Sequence, residues 1–73
     1  MDDDQLLNRI ATDAQVMAGK PVVRGTRLTV ELILNLLGHG VTTEQILTEY
    51  SHLSAEDISA CLLFASRSLA ESA

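Results

Sequence analysis

Three of the five basic side chains in this 73-residue chain, Lys20, Arg24 and Arg27, fall within eight consecutive positions that hold no acid. Residues 1–19 carry four Asp against Arg9, and residues 28–73 carry six acids against Arg67, so the three stretches sum to −3, +3 and −5. Ammonium and guanidinium groups gathered on one short segment suit an anionic partner, either a phosphate backbone or a carboxylate-lined site. The same residues equally fit a solvent face whose cations pair with the acidic helices, because three charges make a small electrostatic footprint. The net charge of −5 therefore conceals the one surface able to meet an anion.

Other chemistry is sparse. Cys61 is the only cysteine, which excludes an internal disulfide, and no Cys/His set has structural zinc spacing. His39 and His52 sit beside turns without carboxylates or thiols at ligand spacing and read as loop histidines, while Cys61 falls on an apolar stripe and reads as a core residue. Gly38-His39-Gly40 lacks the Lys-Ser/Thr of a phosphate loop. A substrate pocket of several hundred Å³ is hard to enclose in so short a chain. A non-enzyme is expected, with no catalytic residue, metal or cofactor.

Glycine and proline locate the elements that position the basic segment. All four Gly and the single Pro lie between positions 19 and 40. The β-branched run from Val22 to Val30 predicts a hairpin turning at Gly25, with Gly19, Pro21 and Gly25 shaping it and Lys20, Arg24, Thr26 and Arg27 as candidate partner- or nucleic-acid-binding residues. A two-stranded ribbon is unstable alone, so Leu6, Leu7 and Ile10 are expected to add a third strand or a cover. Asp4 to Ile10 fits either a strand or a helical turn, and residues 1–5 and 71–73 are expected to fray.

Three helix starts follow. Thr29 caps a helix over Val30 to about Leu37 with Val30, Ile33, Leu34 and Leu37 on one face, closed by Gly38 or Gly40. Thr42 and Gln45 form a capping box for a short helix ending near Ser51-His52, and Ser54 with Asp57 opens a helix to about Ala70 with an Ile58/Cys61/Leu62/Ala65/Leu69 stripe. The expected architecture is a single, mainly α domain over residues 1–73: an N-terminal β-ribbon region (10–30) followed by a three-helix, helix-turn-helix-like core (30–70).

In a standard docking the first turns of the third helix would read DNA, yet they hold Ala55, Glu56, Asp57, Ser59 and Ala60. Two carboxylates there repel phosphates, so DNA binding, if any, falls to the ribbon. Leu32, Leu36, Leu63 and Phe64 lie off the apolar stripes and predict an oligomer interface, most simply a homodimer. No apolar run approaches the roughly 18 residues of a membrane span. The acidic opening Met1-Asp2-Asp3-Asp4 is unlike a signal peptide, so a cytoplasmic location is expected.

The run Gly19-Lys20-Pro21-Val22-Val23-Arg24-Gly25-Thr26-Arg27-Leu28, continued by Val30, Gly40, Glu44, Ile46, Tyr50, Leu53 and Asp57-Ile58, closely resembles the domain of unknown function 433 family. The resemblance implies a homeodomain-like helical core behind the ribbon. It also implies a bacterial or archaeal antitoxin of a type II toxin-antitoxin pair, which binds and neutralises a PIN-like ribonuclease toxin and autoregulates its promoter DNA. Gly19, Lys20, Pro21, Gly25, Thr26 and Arg27 match the family block. Thr29 and Ser51 stand where the family commonly has Pro; Thr29 supplies a cap in its place. The alternative is a stand-alone dimeric helix-turn-helix-like DNA-binding regulator.

Overall fold

The five N-terminal residues, expected to fray, instead open a helix. The Asp2 carboxylate accepts the Gln5 N–H at 2.8 Å and the Gln5 side chain accepts the Asp2 N–H at 3.0 Å, a capping box that starts α1 (Asp3–Leu7). Leu6 then packs on the core and Asp3 pairs with Arg67 at 2.7 Å. The computed structural model describes residues 1–72. Glu71 and Ser72, also expected to fray, continue the last helix, and Ala73 lies outside the described residues.

After α1 come β1 (Ile10–Ala11), a 3₁₀ turn (Met17–Gly19), β2 (Val22–Val23), α2 (Val30–Gly38), α3 (Thr43–Glu49) and α4 (Ala55–Ser72). The chain is mainly helical with one small antiparallel sheet, in which Ile10 pairs with Val23 and Ala11 with Val22. The stretch 4–10 is thus a helix first and a strand last. The expected hairpin around Gly25 survives as a Val22–Thr29 bridge, with Val23 N–H donating to the Leu28 carbonyl at 2.9 Å and Val30 N–H to the Pro21 carbonyl at 2.9 Å. Its second arm ends at once because Thr29 is already the cap of α2, accepting the Leu32 N–H at 3.0 Å. Pairing with Ile10 and Ala11 takes over as the main ladder.

The turn itself is built by two residues. Gly25 adopts φ +81°, where a Cβ is strained. The Thr26 hydroxyl donates to the Val23 carbonyl at 2.7 Å and accepts the Leu28 N–H at 3.0 Å. Upstream, Met17, Ala18 and Gly19 all have positive φ, a left-handed turn held by Gly19 N–H to the Val16 carbonyl and Lys20 N–H to the Met17 carbonyl, both at 3.1 Å.

The helices start where local chemistry dictates. Thr42 and Gln45 form the expected capping box of α3, and the Asp57 carboxylate accepts the Ser54 N–H at 2.9 Å ahead of α4. Helix α2 closes by a Schellman arrangement at Gly40 (φ +86°), with Val41 N–H bonded to the Leu36 carbonyl and Gly40 N–H to the Leu37 carbonyl, both at 3.0 Å. Ile10, Val23, Val30, Ile33, Ile46, Leu53, Ile58, Ala60 and Cys61 form the buried core, with α4 packed on α1, α2 and α3.

The apolar stripe of α4 is displaced from the expected one. Ile58 and Cys61 are buried, but Leu62 and Leu69 are 50% and 72% exposed, and Asp57, Ala60 and Phe64 turn inward instead. The helix is rotated because Asp57 must face Arg9 and because α1 covers this side. Glycine substitutions separate conformation from space. No atom lies within 4 Å of a Cβ added at Gly25 or Gly38, yet only Gly25 has positive φ. Thermal melts are expected to show Gly25→Ala losing about 1 kcal/mol and Gly38→Ala, in regular helix, gaining about 0.5 kcal/mol.

Candidate interaction surface

The basic segment does not present a common cationic face. Lys20 pairs with Glu31 at 2.9 Å on the surface. Arg24 lies back along the chain, its Nε donating to the Asn8 carbonyl at 2.7 Å and an Nη to the Ile10 carbonyl at 3.4 Å, while its own N–H bonds the Arg9 carbonyl at 2.7 Å. Thr26 is committed to the turn. Arg27 is exposed and, among the described residues, is the one basic side chain held by neither a hydrogen bond nor an ion pair. Of the four candidate binding residues, then, three do internal work.

A second arginine was not singled out by its sequence context. Arg9, between α1 and β1, reaches the Asp57 carboxylate at 3.0 Å and the Ser54 hydroxyl at 3.3 Å. Asp57 is 8% exposed and also accepts the Ser54 N–H, so its charge is met from both sides. Cys61 lies one helical turn on. Burial first, and the neighbouring Asp57 charge second, push its thiol up to about 11, which keeps it protonated and unreactive at neutral pH. His39 Nδ1 lies 2.7 Å from the Asn35 carbonyl. No group of three potential metal ligands occurs among the described residues.

The apolar surface is organised differently. Between α2 and the C-terminal half of α4 runs an open groove of about 610 Å³, larger than so short a chain was expected to form. Pro21, Val30, Leu34, Phe64, Ala65 and Leu69 supply its apolar walls, and its two charged residues, Lys20 and Glu31, neutralise each other at one side. Of the expected interface residues only Phe64 lines it; Leu36 packs on the core, and Leu32 and Leu63 are half-buried away from it. Leu34 and Ala65 carried no signal as groove residues, because their apolar spacing is that of a core stripe. The groove exists because α4 turns its Phe64 side towards α2 and stops short of covering Leu34.

A protein-family model described as "Protein of unknown function (DUF433)" matches residues 10–65. The chain belongs to the DUF433 family. Among solved structures, a DUF433 member protein from Anabaena variabilis ATCC 29413 is similar with a TM-score of 0.82 and 26% sequence identity, over 93% of this chain and 67% of that one. No curated protein matches. The DUF433 match begins at Ile10, the first strand residue, and ends at Ala65 in the groove wall, so it spans the sheet, α2, α3 and the packed part of α4.

Within this DUF433 chain the two exposed arginines of the turn are separable by their contacts. Arg24→Ala is expected to cost about 1 to 2 kcal/mol in chemical denaturation, since two carbonyls lose a charged donor. Arg27→Ala is expected to stay within about 0.5 kcal/mol of the parent. Equal effects would contradict the contacts described.

Proposed function

We propose that this chain is a protein-binding module of the antitoxin kind, which neutralises a PIN-like ribonuclease by taking an apolar segment of it into the α2–α4 groove. The observation that carries the reading is the groove itself: about 610 Å³ of open, largely apolar surface whose only charges are mutually paired. Contiguous apolar surface of this kind on a small domain marks a site for another chain. The nuclease as partner comes from the resemblance of the Gly19–Leu28 block to its family. Net charge supports the direction of recognition, because −5 steers the chain towards a cationic protein and away from phosphates.

Arg27 adds a second contact to the proposal. Unheld by any internal partner among the described residues, it is free to meet a carboxylate of the nuclease's metal-binding site and block access to it. The promoter-binding alternative has less support. Three of five cations are internally ion-paired, and Glu56 stands exposed at the start of α4. No residue is assigned a catalytic role.

The test is titration calorimetry with the product of the neighbouring reading frame, expected to be a PIN-like nuclease, paired with an RNA-cleavage assay. The parent chain is expected to bind and to suppress cleavage. Leu34→Ser with Asn35→Glu, both in the groove wall, is expected to weaken binding at least about tenfold with unchanged helical circular dichroism. Undiminished binding by that variant would remove the groove from the account, and absence of binding by the parent would remove the antitoxin reading.

A further inference from the structure

We infer that the outward face of α4 is a weak homodimer seam, on which two copies pack their fourth helices antiparallel about a two-fold axis. The face lies opposite the core side of the helix and meets the groove only at Leu69, which borders both. Ala55, Ser59, Leu62, Ser66 and Leu69 follow one another at spacings of four, three, four and three residues, and all five are exposed. This is the a/d spacing of a helix that packs on another helix. The charged residues of α4, Glu56, Asp57, Arg67 and Glu71, fall outside the stripe. Apart from Met1 and Met17, Leu62 and Leu69 are the large hydrophobic side chains most exposed to solvent among the described residues.

The pattern selects a second copy as occupant. With the two-fold axis passing at residue 64, Leu62 faces Ser66 of the second copy and Leu69 faces Ser59, and the same contacts recur with the copies exchanged. Each large side chain then meets a small one, the complementarity an isologous interface requires. Parallel packing would instead set Leu against Leu and Ser against Ser. It would also bring both Glu56 carboxylates and both helix N-termini together, whereas antiparallel packing opposes the dipoles. Each copy carries −5, so an approach that avoids like charge must use an uncharged surface, and this stripe provides one from Ala55 to Leu69. A handful of residues per side is well short of the 20 to 30 of a standard interface, which places the dimer in the weak range.

Sedimentation equilibrium of the full chain tests the seam. A Kd of about 10⁻⁵ to 10⁻⁴ M is expected, and it should tighten as salt screens the repulsion between acidic copies. Leu62→Glu with Ser66→Glu should weaken association at least tenfold; both positions are exposed, and the milder Leu62→Ser checks the result if folding suffers. Under oxidation, Leu62→Cys with Ser66→Cys should give a covalent dimer, whereas Ser66→Cys alone should not. A parent chain that stays monomeric to about 1 mM, a Glu variant that dimerises like the parent, or a Ser66→Cys chain that crosslinks to itself would overturn the proposal. The Leu34/Asn35 groove variant should dimerise normally, and the Leu62/Ser66 variant should still bind the nuclease, so the two readings fail separately.

Discussion

A carboxylate buried in the first turn of a helix must be fully partnered, and in this chain that requirement falls on Asp57. Left unpaired, such a charge costs several kcal/mol. Ser54 N–H meets one oxygen and Arg9 the other, 48 positions earlier in sequence. Arg9 stands where α1 gives way to β1, so a single ion pair fastens the N-terminal segment to the start of the longest helix. Arg24 repeats the device beside this pair, holding the Asn8 and Ile10 carbonyls from the turn that Gly25 makes. Two arginines thus join α1, β1, the turn and α4 in a domain too short to rely on a large core.

That use of charge decides what the surface can do. Arg9, Lys20 and Arg67 are ion-paired and Arg24 is bound to carbonyls, so the +3 segment contributes one free cation, Arg27, rather than a basic patch. Most of the other exposed charges are acidic. The same anchor also fixes the rotation of α4. With Asp57, Ala60, Cys61 and Phe64 turned inward, the helix leaves Phe64, Ala65 and Leu69 bordering α2 and sends Leu62 and Ser66 outward. The exposed apolar surface of the described residues is therefore concentrated along one helix.

What the sequence made legible is what acts over a few residues. Thr29, the Thr42–Gln45 box, the Ser54–Asp57 pair and the glycine at position 25 announce themselves within four positions, and the helices begin where those residues require. The mainly helical fold and its family were readable for the same reason. Three features were not. Residues 1–5 look like an acidic tail until Gln5 closes on Asp2 and Asp3 meets Arg67. The choice of face on α4 has an apolar answer in either rotation, and the distant Arg9, with α1 packed on the same side, decides between them. The basic segment reads as a binding face or as an internally paired one, and the sequence does not choose because its partners, Glu31, Asn8 and Ile10, lie 11 to 16 residues away.

The coupling between Arg9 and Asp57 holds this arrangement together, and a double-mutant cycle measures it directly. Arg9→Met, Asp57→Asn and the double variant, compared with the parent by urea denaturation, are expected to give an interaction energy of about 2 kcal/mol. The double variant should be less destabilised than the two single effects added together. Strictly additive effects, with a coupling within about 0.3 kcal/mol of zero, would contradict the claim that this pair holds α1 and β1 to α4 and sets the face that α4 presents.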